Sequence, residues 1–384
     1  MVVKNDRILV INSGSATLKF KIFDRRLNLL LSGIVEKIGL PGSFIEIDGK
    51  KTALNKSLKN HGEALNLVFS KLAGPLKTIG LIGHRVVHGG EQFNQPALID
   101  DKVLARLEKY RPLAPLHNPI NLACVKACQK ALPGIKNAAV FDTAFYKTIP
   151  DYVYLYAIPY KYYKDLGVRR YGFHGISHQF VAQEAARILK KPLNKLKLIT
   201  CHLGSGCSIT ATKFGQAVET SMGFTPLEGL TMGTRSGDLD PAVAFYLMRR
   251  LKLNIDEMEA ILNKKSGLLG IFGYSNDLRD IIVASGYKIS GYQPPKKFSA
   301  REIKLAKLAL KMFIYDIVRY IGAYAMILGG VDYIVFTAGT GERNADIRNL
   351  VMKDVRKFIK NAKSLVVPTN EELMIARLVR KFSL

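Results

Sequence analysis

The sequence predicts an α/β protein with two domains. Apolar β-branched runs alternate with amphipathic helical segments, which is typical of this class. The chain has 384 residues, 48% of them hydrophobic, and one domain usually takes about 100–200 residues. The segments ILVINSGSATLKFKI and LITCHLGSGCSITAT share a layout of strand, Gly-Ser turn, hydroxyl residues and second strand. Two hairpins can agree by chance; if the repeat is real, it implies two related domains that each present a phosphate-type loop.

The elements follow this alternation in order. IGLIGHRVVHGG predicts a buried strand that ends in a Gly turn, NLACVKACQKAL a helix, and PGIKNAAVFDTAF a strand that ends near Asp142. A Tyr-rich connection begins after Asp151, and HQFVAQEAARIL predicts an amphipathic helix. LKLITCHLGSGCSITATKFG reads as strand, turn and strand, and REIKLAKLALKMFIYDIVRYIGAYAMIL as one long helix. DYIVFTAGTGERN predicts a strand that runs into a Gly turn.

Bulk properties exclude several classes of protein. The formal charge of +26 would attract anions, yet zinc-finger spacing, RNP aromatics and heptads are absent from the sequence, so no specific nucleic-acid partner is expected. No apolar run approaches the ~20 residues that span a bilayer. The N-terminus lacks the apolar core of a signal peptide, so we expect a cytoplasmic protein without a membrane partner. Its four cysteines lack CxxC or zinc spacing, which favours buried or incidental thiols.

Three Gly-rich segments could cradle phosphate. Gly14 stands among Ser13, Ser15 and Thr17, and Gly204-Ser205-Gly206 precedes Ser208. A third turn, Gly339-Thr340-Gly341, follows the strand at Phe336. None fits a P-loop or an opening GxGxxG motif. One such loop alone is usually an ordinary turn, but three in one chain favour a nucleotide.

Histidines, arginines and acids supply candidate chemistry. A lone histidine beside glycine is usually structural, but six in polar, glycine-rich segments are expected to line a cleft, with one or two touching substrate and the rest holding loops: His84, His88, His117, His174, His178 and His202. Arg85 and Arg235 lie in Gly-rich turns and could clamp one phosphoryl group, although either could instead pair with a structural carboxylate. Glu371 could bind Mg²⁺ or begin a helix capped by Thr369 or Asn370, and both interpretations are compatible.

Nine segments then occur in the order of one family: VINSGSATLKF, GHRVVHGG, LAPLHNP, VFDTAF, RRYGFHGISH, HLGSGCSITA, TSMGFTPLEGLTMGTRSGDLDP, FTAGTGERN and PTNEELMIAR. Over essentially the whole chain they resemble the acetate kinase family, the acetokinase group of the actin-like superfamily. The resemblance implies two actin-like (ribonuclease H-like) α/β domains with an interdomain active-site cleft. Residues 1–144 plus 373–384, the C-terminal helix, would form the first domain, and residues 145–372 the second, nucleotide-binding domain.

The resemblance implies reversible, Mg²⁺-dependent transfer of the ATP γ-phosphoryl group to acetate, in line and direct, giving acetyl phosphate and ADP; Mn²⁺ is an alternative metal. The resemblance implies that Asn12 and Glu371 bind the metal and that Arg85 and Arg235 bind the carboxylate and the phosphoryl group. It also implies that His174 bonds the phosphoryl group, that Asp142 lies beside it, and that His117 and His178 are supporting residues. The implied acyl pocket takes Val87, Leu116, Phe173 and Pro226 beside Arg85. The implied nucleotide-side positions are Ser15, Thr17, Lys19, His202, Gly204, Ser205, Gly206, Asp277, Leu278, Arg279, Gly339, Thr340, Gly341 and Arg343.

The chain departs from the family pattern mainly on the nucleotide side. Ser205 replaces the Asn of HLGNG, Thr340 and Arg343 replace residues of GIGEN, and Leu278 replaces the aromatic of DFR. Tyr146 replaces the His of FDTAFH, away from the nucleotide side, and the acyl side is intact. We hypothesise that nucleotide affinity or choice has changed while the carboxylate chemistry is kept.

Alternative functions remain open at this stage. They are a propionate kinase or another short-chain carboxylate kinase of the same family, a non-catalytic ATP-binding protein, and a nucleic-acid binder suggested only by charge. The non-catalytic alternative is disfavoured because Arg85, Arg235, His174 and Glu371 are all present. The family also implies a homodimer.

Overall fold

A computed structural model of the chain describes residues 6–115, 117–289 and 291–383. Its strands are β1 (Arg7–Ser13), β2 (Thr17–Phe23), β3 (Leu29–Glu36), β4 (Phe44–Ile47), β5 (Lys50–Ala53), β6 (Ile79–Val86), β7 (Ala97–Leu98), β8 (Lys136–Phe141), β9 (Lys197–Leu203), β10 (Cys207–Lys213), β11 (Gln216–Thr220), β12 (Tyr333–Thr337) and β13 (Lys363–Val366). Its α-helices are α1 (His61–Lys71), α2 (Ala73–Leu76), α3 (Asp101–Lys109), α4 (Asn118–Ala131), α5 (Asp151–Tyr154), α6 (Lys161–Leu166), α7 (Gly175–Ile188), α8 (Pro241–Leu251), α9 (Ile255–Lys264), α10 (Gly267–Phe272), α11 (Leu278–Ala284), α12 (Ala300–Leu328), α13 (Ala338–Arg343), α14 (Ala345–Phe358) and α15 (Glu371–Val379). Short 3₁₀ helices cover Arg111–Leu113, Asp142–Thr148, Leu193–Lys195 and Arg380–Phe382.

The chain divides into two compact units. Unit 1 takes the chain up to Lys147, Gly175–Phe180, and the chain from Asn370 onward, and unit 2 takes Thr148–His174 and Val181–Thr369. Each unit has its own sheet, so the α/β class predicted from the sequence is confirmed. No helix in the described ranges is long and apolar enough to cross a membrane.

The sheet of unit 1 has the strand order β5-β4-β3-β2-β1-β6-β8-β7. From β1 to β5 the pairs are antiparallel, whereas β6 and β8 continue the sheet in parallel with β1. Leu18, Phe20 and Ile22 are buried along β2 because alternate side chains of a strand share one face. They belong to a core that also contains residues of α1 and α4, so β1 is fixed in register at the centre of the sheet.

The sheet of unit 2 repeats this plan in the order β11-β10-β9-β12-β13. Strands β9, β10 and β11 form an antiparallel meander, and β12 and β13 extend it in parallel with β9. The hairpins β1-β2 and β9-β10 therefore hold equivalent central places in the two sheets. The repeat suggested by the two Gly-Ser segments is confirmed as a shared topology.

Local sequence signals explain several element boundaries. The long helix α12 begins at a capping box in which Ser299 and Glu302 bond each other's backbone amides. Asn370 caps α15 by accepting from the amide of Leu373, which confirms one of the two predicted caps. The Tyr-rich connection after Asp151 contains the short helices α5 and α6.

The predicted Gly turn at 339–341 is wrong, since these residues lie inside helix α13. Ala338 turns the chain with a positive φ of 64°. The carboxylate of Glu342 accepts from the amides of Ala338 (2.8 Å) and Thr369 (3.0 Å). The Glu342 side chain therefore satisfies two backbone amides, one at the start of α13 and one far away in the sequence, which a glycine-rich motif does not predict.

Candidate active site

Asn12 is the centre of a hydrogen-bond network at the end of β1 in unit 1. Its side-chain Nδ2 donates to Glu371 (2.9 Å) and to Glu372 (2.8 Å), the first two residues of α15. Its Oδ1 accepts from Nη1 of Arg85 at 3.3 Å. Lys21, two residues beyond Lys19 on β2, pairs with Glu372 at 3.0 Å and donates to Asn370. Both hydrogens of the Asn12 amide are thus in use, and its orientation is defined.

Arg85 is paired with Asp142 at the ends of the neighbouring strands β6 and β8. Nε and Nη2 of Arg85 donate to the carboxylate, with Nη2–Oδ2 at 2.6 Å. Asp142 is 0% exposed. Burial lowers the pKa of Arg85, but Asp142, Glu371 and Glu372 outweigh it, so the net shift is upward and the guanidinium stays charged. The alternative that Arg85 has a structural carboxylate partner is confirmed, and its network still reaches Asn12.

The first hairpin turn is held by a residue that the sequence did not single out. Nε2 of His61 donates to the carbonyl of Gly14 at 2.8 Å, and the Gly14 amide donates to Thr17 O at 2.9 Å. Burial lowers the pKa of His61. Ser15 is exposed at this turn, and Lys19 is exposed on β2 opposite Asn12. The turn is therefore rigid, with its hydroxyl-bearing tip open.

Two asparagines at the start of α4 fix the segment that carries Val87. The amide of Val87 donates to Oδ1 of Asn121 (3.1 Å), while Nδ2 of Asn121 donates to Ser13. Asn118 exchanges two hydrogen bonds of 3.0 Å with the backbone of His88. Neither asparagine is a predicted site residue, although Asn118 belongs to the LAPLHNP segment and Asn121 begins NLACVKACQKAL. His117 is the N-cap position of this helix.

The expectation of a cleft position is wrong for His84 and His88, but His88 does hold a loop, as expected of histidines that do not touch substrate, because its Nδ1 accepts from the Gly90 amide at 3.0 Å. Both are buried, at 1% and 0% exposure, and burial lowers the pKa of each, to about 4 for His84 and about 3 for His88. His84 donates to Oδ1 of Asn137 at 2.7 Å, which makes it a structural residue of the sheet. His178 is likewise 0% exposed, on α7.

His174 heads the corresponding group in unit 2. It has a left-handed backbone (φ 57°) at the start of α7, and its Nδ1 lies 2.9 Å from Oγ of Ser208 on β10. Its ring stacks on His202 of β9, with centroids 4.3 Å apart. Ser208 and His202 are cross-strand partners, so the hairpin β9-β10 fixes the imidazole from two sides.

Arg235 lies next to His174 and the Gly204–Gly206 loop. A Cβ placed on Gly206 would lie 3.2 Å from Cε1 of His174 and 3.4 Å from Nη1 of Arg235, so only glycine leaves this space open. Nη1 donates to the carbonyl of Pro226 at 3.3 Å. Among the residues that the structure describes, no carboxylate pairs with Arg235, and burial lowers its pKa. This guanidinium is an uncompensated positive charge.

The segment between Ser221 and Asp238, which carries Pro226 and Arg235, is fixed by ionic contacts. Arg170 donates to Glu228 at 2.8 Å, and Tyr156 bonds the second oxygen of the same carboxylate. Asp238 accepts from the amide of Gly229 and from Arg319. The segment lacks regular secondary structure, so these side chains take over the role of a backbone ladder.

The helices that carry other predicted nucleotide-side residues begin near the same loop. A Cβ on Gly233 would lie 3.6 Å from Ser205 O and 3.4 Å from Asn276 O, and a Cβ on Gly204 would lie 3.7 Å from Cβ of Ala338. Asp277 caps α11, whose first residue is Leu278, and pairs with Arg279 at 2.6 Å. Thr340 and Gly341 lie on α13 beside this group, and Arg343 is exposed at the end of that helix.

The predicted acyl-pocket residues are distributed over both units. Val87 belongs to unit 1, and Phe173 (1% exposed) and Pro226 belong to unit 2. Leu116 lies outside the described residues. Arg235 bonds Pro226 directly, so within unit 2 one apolar residue of this set stands beside the uncompensated guanidinium.

The oxygen donors around Asn12 suit a hard cation. Amide and carboxylate oxygens are what Mg²⁺ prefers, and this ion binds through few carboxylates and several waters. In the described ranges no group of three or more His, Cys, Asp or Glu residues could hold a metal. Asn12 and Glu371 fit a water-rich magnesium site better than a site for zinc or another nitrogen- and sulfur-liganded metal. The four cysteines are free and buried, as predicted.

Comparison with known proteins gives one consistent result. The profile of the acetokinase family matches residues 7–362. Acetate kinase of Thermotoga maritima is 46% identical over 97% of both chains, and that of Caldicellulosiruptor saccharolyticus is 44% identical over 97% of this chain and 98% of its own.

Solved structures agree. The chain resembles an acetate kinase from Porphyromonas gingivalis (TM-score 0.84, 41% identity, 97% of this chain and 98% of the other). It also resembles a propionate kinase from Francisella tularensis (TM-score 0.87, 36% identity, the same coverage). The two-unit actin-like architecture predicted from the sequence motifs is confirmed, and the chain belongs to the acetokinase family of kinases.

Proposed function

We propose that the chain transfers the γ-phosphoryl group of ATP to acetate, reversibly, giving acetyl phosphate and ADP. The observation that carries the proposal is Arg235, a half-buried guanidinium without a carboxylate partner in the described part of the chain, beside His174 and a glycine loop. A buried charge of this kind costs free energy until an anion binds. The relatives reported above are mostly named acetate kinases, which supports acetate as the acceptor of the phosphoryl group.

The reaction needs one bond to form and one to break. A carboxylate oxygen of acetate attacks the γ-phosphorus, and the bond from that phosphorus to the β–γ bridging oxygen breaks, so the electron pair leaves with ADP. No proton moves. Arg235 and His174 stabilise the charge on the transferring group, and the amides and Ser205 of the glycine loop bind the other phosphates.

Unit 1 contributes orientation and charge balance. Arg85 is held by Asp142 and donates to Asn12, so it presents a fixed donor set to a carboxylate or phosphate oxygen. Asn12 and Glu371 would hold Mg²⁺, which supplies charge neutralisation for the phosphates when it is bound. His117 and His178 are proposed as supporting residues, and Val87, Phe173 and Pro226 as contacts of the acyl group.

The test is trapping of the acyl phosphate with hydroxylamine for purified protein with Mg²⁺ and ATP. Formate, acetate, propionate and butyrate are compared, with Arg235→Ala as the loss-of-function variant. Arg187→Ala is the matched control, because that side chain is 72% exposed and its ion pair is with Glu184, three residues before it on the same helix. A peak at acetate, lost in Arg235→Ala and kept in Arg187→Ala, supports the proposal.

Other outcomes decide against it. A peak at propionate assigns the chain to the activity that the Francisella neighbour's name describes. A methylene is worth only about 1–3 kcal/mol, so partial use of propionate is expected in either case. No hydroxamate with any acid, from folded protein and in either direction, overturns the kinase proposal.

We also propose a homodimer formed through α8. This helix has no buried residue, and it exposes Phe245 (55%) and Tyr246 (63%), followed by Ile255 (74%). Exposed apolar surface of this kind marks a protein interface. Sedimentation of Phe245→Glu is expected to give a monomer where the unmodified chain gives a dimer, and a monomeric unmodified chain would contradict the proposal.

Free buried cysteines fit the predicted cytoplasmic location.

A further inference from the structure

A second surface of unit 2 has the character of a binding groove. Its volume is about 1000 Å³, and residues of α12 and α14 line most of it. Apolar and aromatic side chains form about half of the lining, which also includes five lysines and Asp354: Tyr287, Leu308, Leu310, Ile314, Tyr315, Val318, Leu350 and Phe358. Three of them are well exposed, Leu308 at 47%, Tyr315 at 68% and Phe358 at 85%. Contiguous exposed apolar surface is uncommon unless something binds there.

Lysines line the same groove on both helices. Lys304, Lys307 and Lys311 lie on α12, and Lys353 and Lys357 lie on α14. Their spacings of three and four residues put like charges side by side, which destabilises an isolated helix. Lys357 pairs with Asp354 at 2.5 Å. Within the described residues, no carboxylate pairs with the other four lysines.

The shape of this surface selects among anionic occupants. The lining positions on α12 run from Lys304 to Val318, which is about 21 Å of helix and close to four turns. An amphiphile with one charged headgroup would need positive charge at one end, whereas these lysines stand on both α12 and α14. A nucleic acid backbone would use the lysines but not the apolar lining.

We propose that this groove binds an amphipathic helix of a partner protein, with an apolar stripe against Leu308, Tyr315 and Phe358 and acidic residues on both flanks. Helices recognised in this way present anchors at i, i+3 or i+4, and i+7, which fits a groove of this length. The lysines complement the acidic flanks and give specificity. The inference does not depend on the proposed kinase activity, because none of the residues assigned to that activity lies in the groove.

The experiment uses the full chain and a designed fluorescent peptide of 18 residues. The peptide has leucines at i, i+3, i+4 and i+7 spacing with glutamates on both sides of the stripe. A second peptide has the same composition in scrambled order, and a third has lysines in place of the glutamates. Fluorescence anisotropy is expected to show saturable binding of the first peptide only, weakened by added salt because the flanking contacts are electrostatic.

Variants locate the binding site. Leu308→Ser with Phe358→Ser is expected to weaken binding about tenfold or more, and Lys304→Glu with Lys307→Glu to weaken it similarly. The matched controls are Phe214→Ser, at a residue 47% exposed in the turn after β10, and Lys264→Glu with Lys265→Glu at the end of α9. These controls should bind like the unmodified chain, and circular dichroism should show all variants folded.

Four results overturn the inference. Equal binding of the scrambled peptide shows general charge attraction, and equal loss in groove and control variants shows a different site. Binding to vesicles of anionic phospholipid in place of the helical peptide, with loss in the groove variants, assigns the surface to a membrane. No binding of the first peptide at low salt, by folded protein, also refutes the proposal.

Discussion

The contact between Lys21 and Glu372 should be energetically coupled, and a double-mutant cycle measures the coupling. Lys21→Met removes the cation, and Glu372→Gln keeps an oxygen for Asn12 but removes the charge. The two side chains are 22% and 6% exposed and lie 3.0 Å apart, and Glu372 also accepts from Asn12 at 2.8 Å. Hydrogen bonds to charged groups contribute about 1.5–3 kcal/mol. Each single variant should therefore lose about 2 kcal/mol, with a coupling energy of about 1–2 kcal/mol.

The assay is urea unfolding of the four proteins. Leu65→Ala, in the core of unit 1, identifies the transition that belongs to that unit. An exposed pair, Lys126 with Glu108 at 2.7 Å, serves as the matched control. Its side chains are 55% and 28% exposed, so its own cycle should give about 0.5 kcal/mol or less. A Lys21–Glu372 coupling no larger than that of the control pair would refute the reasoning.

The same variants should change catalysis through Asn12. Loss of the Glu372 charge weakens one of the two contacts that fix the Asn12 amide, so its Oδ1 is less well oriented toward Arg85. Residues that orient a ligand of a metal typically change affinity or activity by about 10–100-fold. The Mg²⁺ concentration that gives half-maximal rate should rise about tenfold in Glu372→Gln. Direct titration of Mg²⁺ against ATP-bound protein by calorimetry separates this from a change in turnover.

Three further predictions concern Arg235, His84, and the pair Ser205 and Arg343. Arg235→Gln should lower kcat/KM by about 10²–10³-fold yet leave the calorimetric Tm unchanged or higher, because it removes a half-buried charge that no carboxylate in the described part of the chain neutralises; a large fall in Tm would contradict this. Burial lowers the pKa of His84 to about 4, whereas the pKa of an unfolded histidine is near 6.5. Between pH 6.5 and 5 the unfolded state therefore binds a proton that the folded state does not, and the free energy of unfolding should fall by about 2 kcal/mol. His84→Leu should remove that part of the pH dependence of unfolding, and an unchanged slope would refute it. Restoring Asn at both Ser205 and Arg343 should raise kcat/KM for ATP, and comparable values would count against altered nucleotide recognition.

The sequence was sufficient where local rules decide the structure. Alternation in β2 and the Gly-Ser turns predict both hairpins, and Asn370 before two glutamates predicts the start of α15. It failed at Gly339–Gly341, since the capping carboxylate of Glu342 also binds an amide 27 residues away, and no local pattern reports that contact.

The candidate site also combines residues that local motifs predict with residues that only long-range contacts define. The motifs single out Asn12, Arg85 and Asp142, which the structure joins in one hydrogen-bond network. They do not point to Lys21, because its partner Glu372 follows 351 positions later in the sequence and the two meet through the sheet and α15. The glycine-rich segment around His84 predicts a cleft position, but the side chain is buried. Its burial depends on Asn137, which is 53 residues away on a neighbouring strand. Long-range pairing therefore decides which polar residues are structural.

The two arginines predicted to share one role differ in electrostatic state, and on this ground we propose distinct tasks for them. Arg85 is neutralised by Asp142, so binding of an anion there adds little attraction, and its value lies in the fixed direction of its donors. Arg235 has no carboxylate partner among the described residues, and burial lowers its pKa, so an arriving anion removes an existing electrostatic cost. Replacement of Arg85 should therefore damage both fold and catalysis, because the buried carboxylate of Asp142 loses its ion pair with Arg85. Replacement of Arg235 should damage catalysis alone, and this contrast separates a positioning arginine from a phosphoryl-binding one.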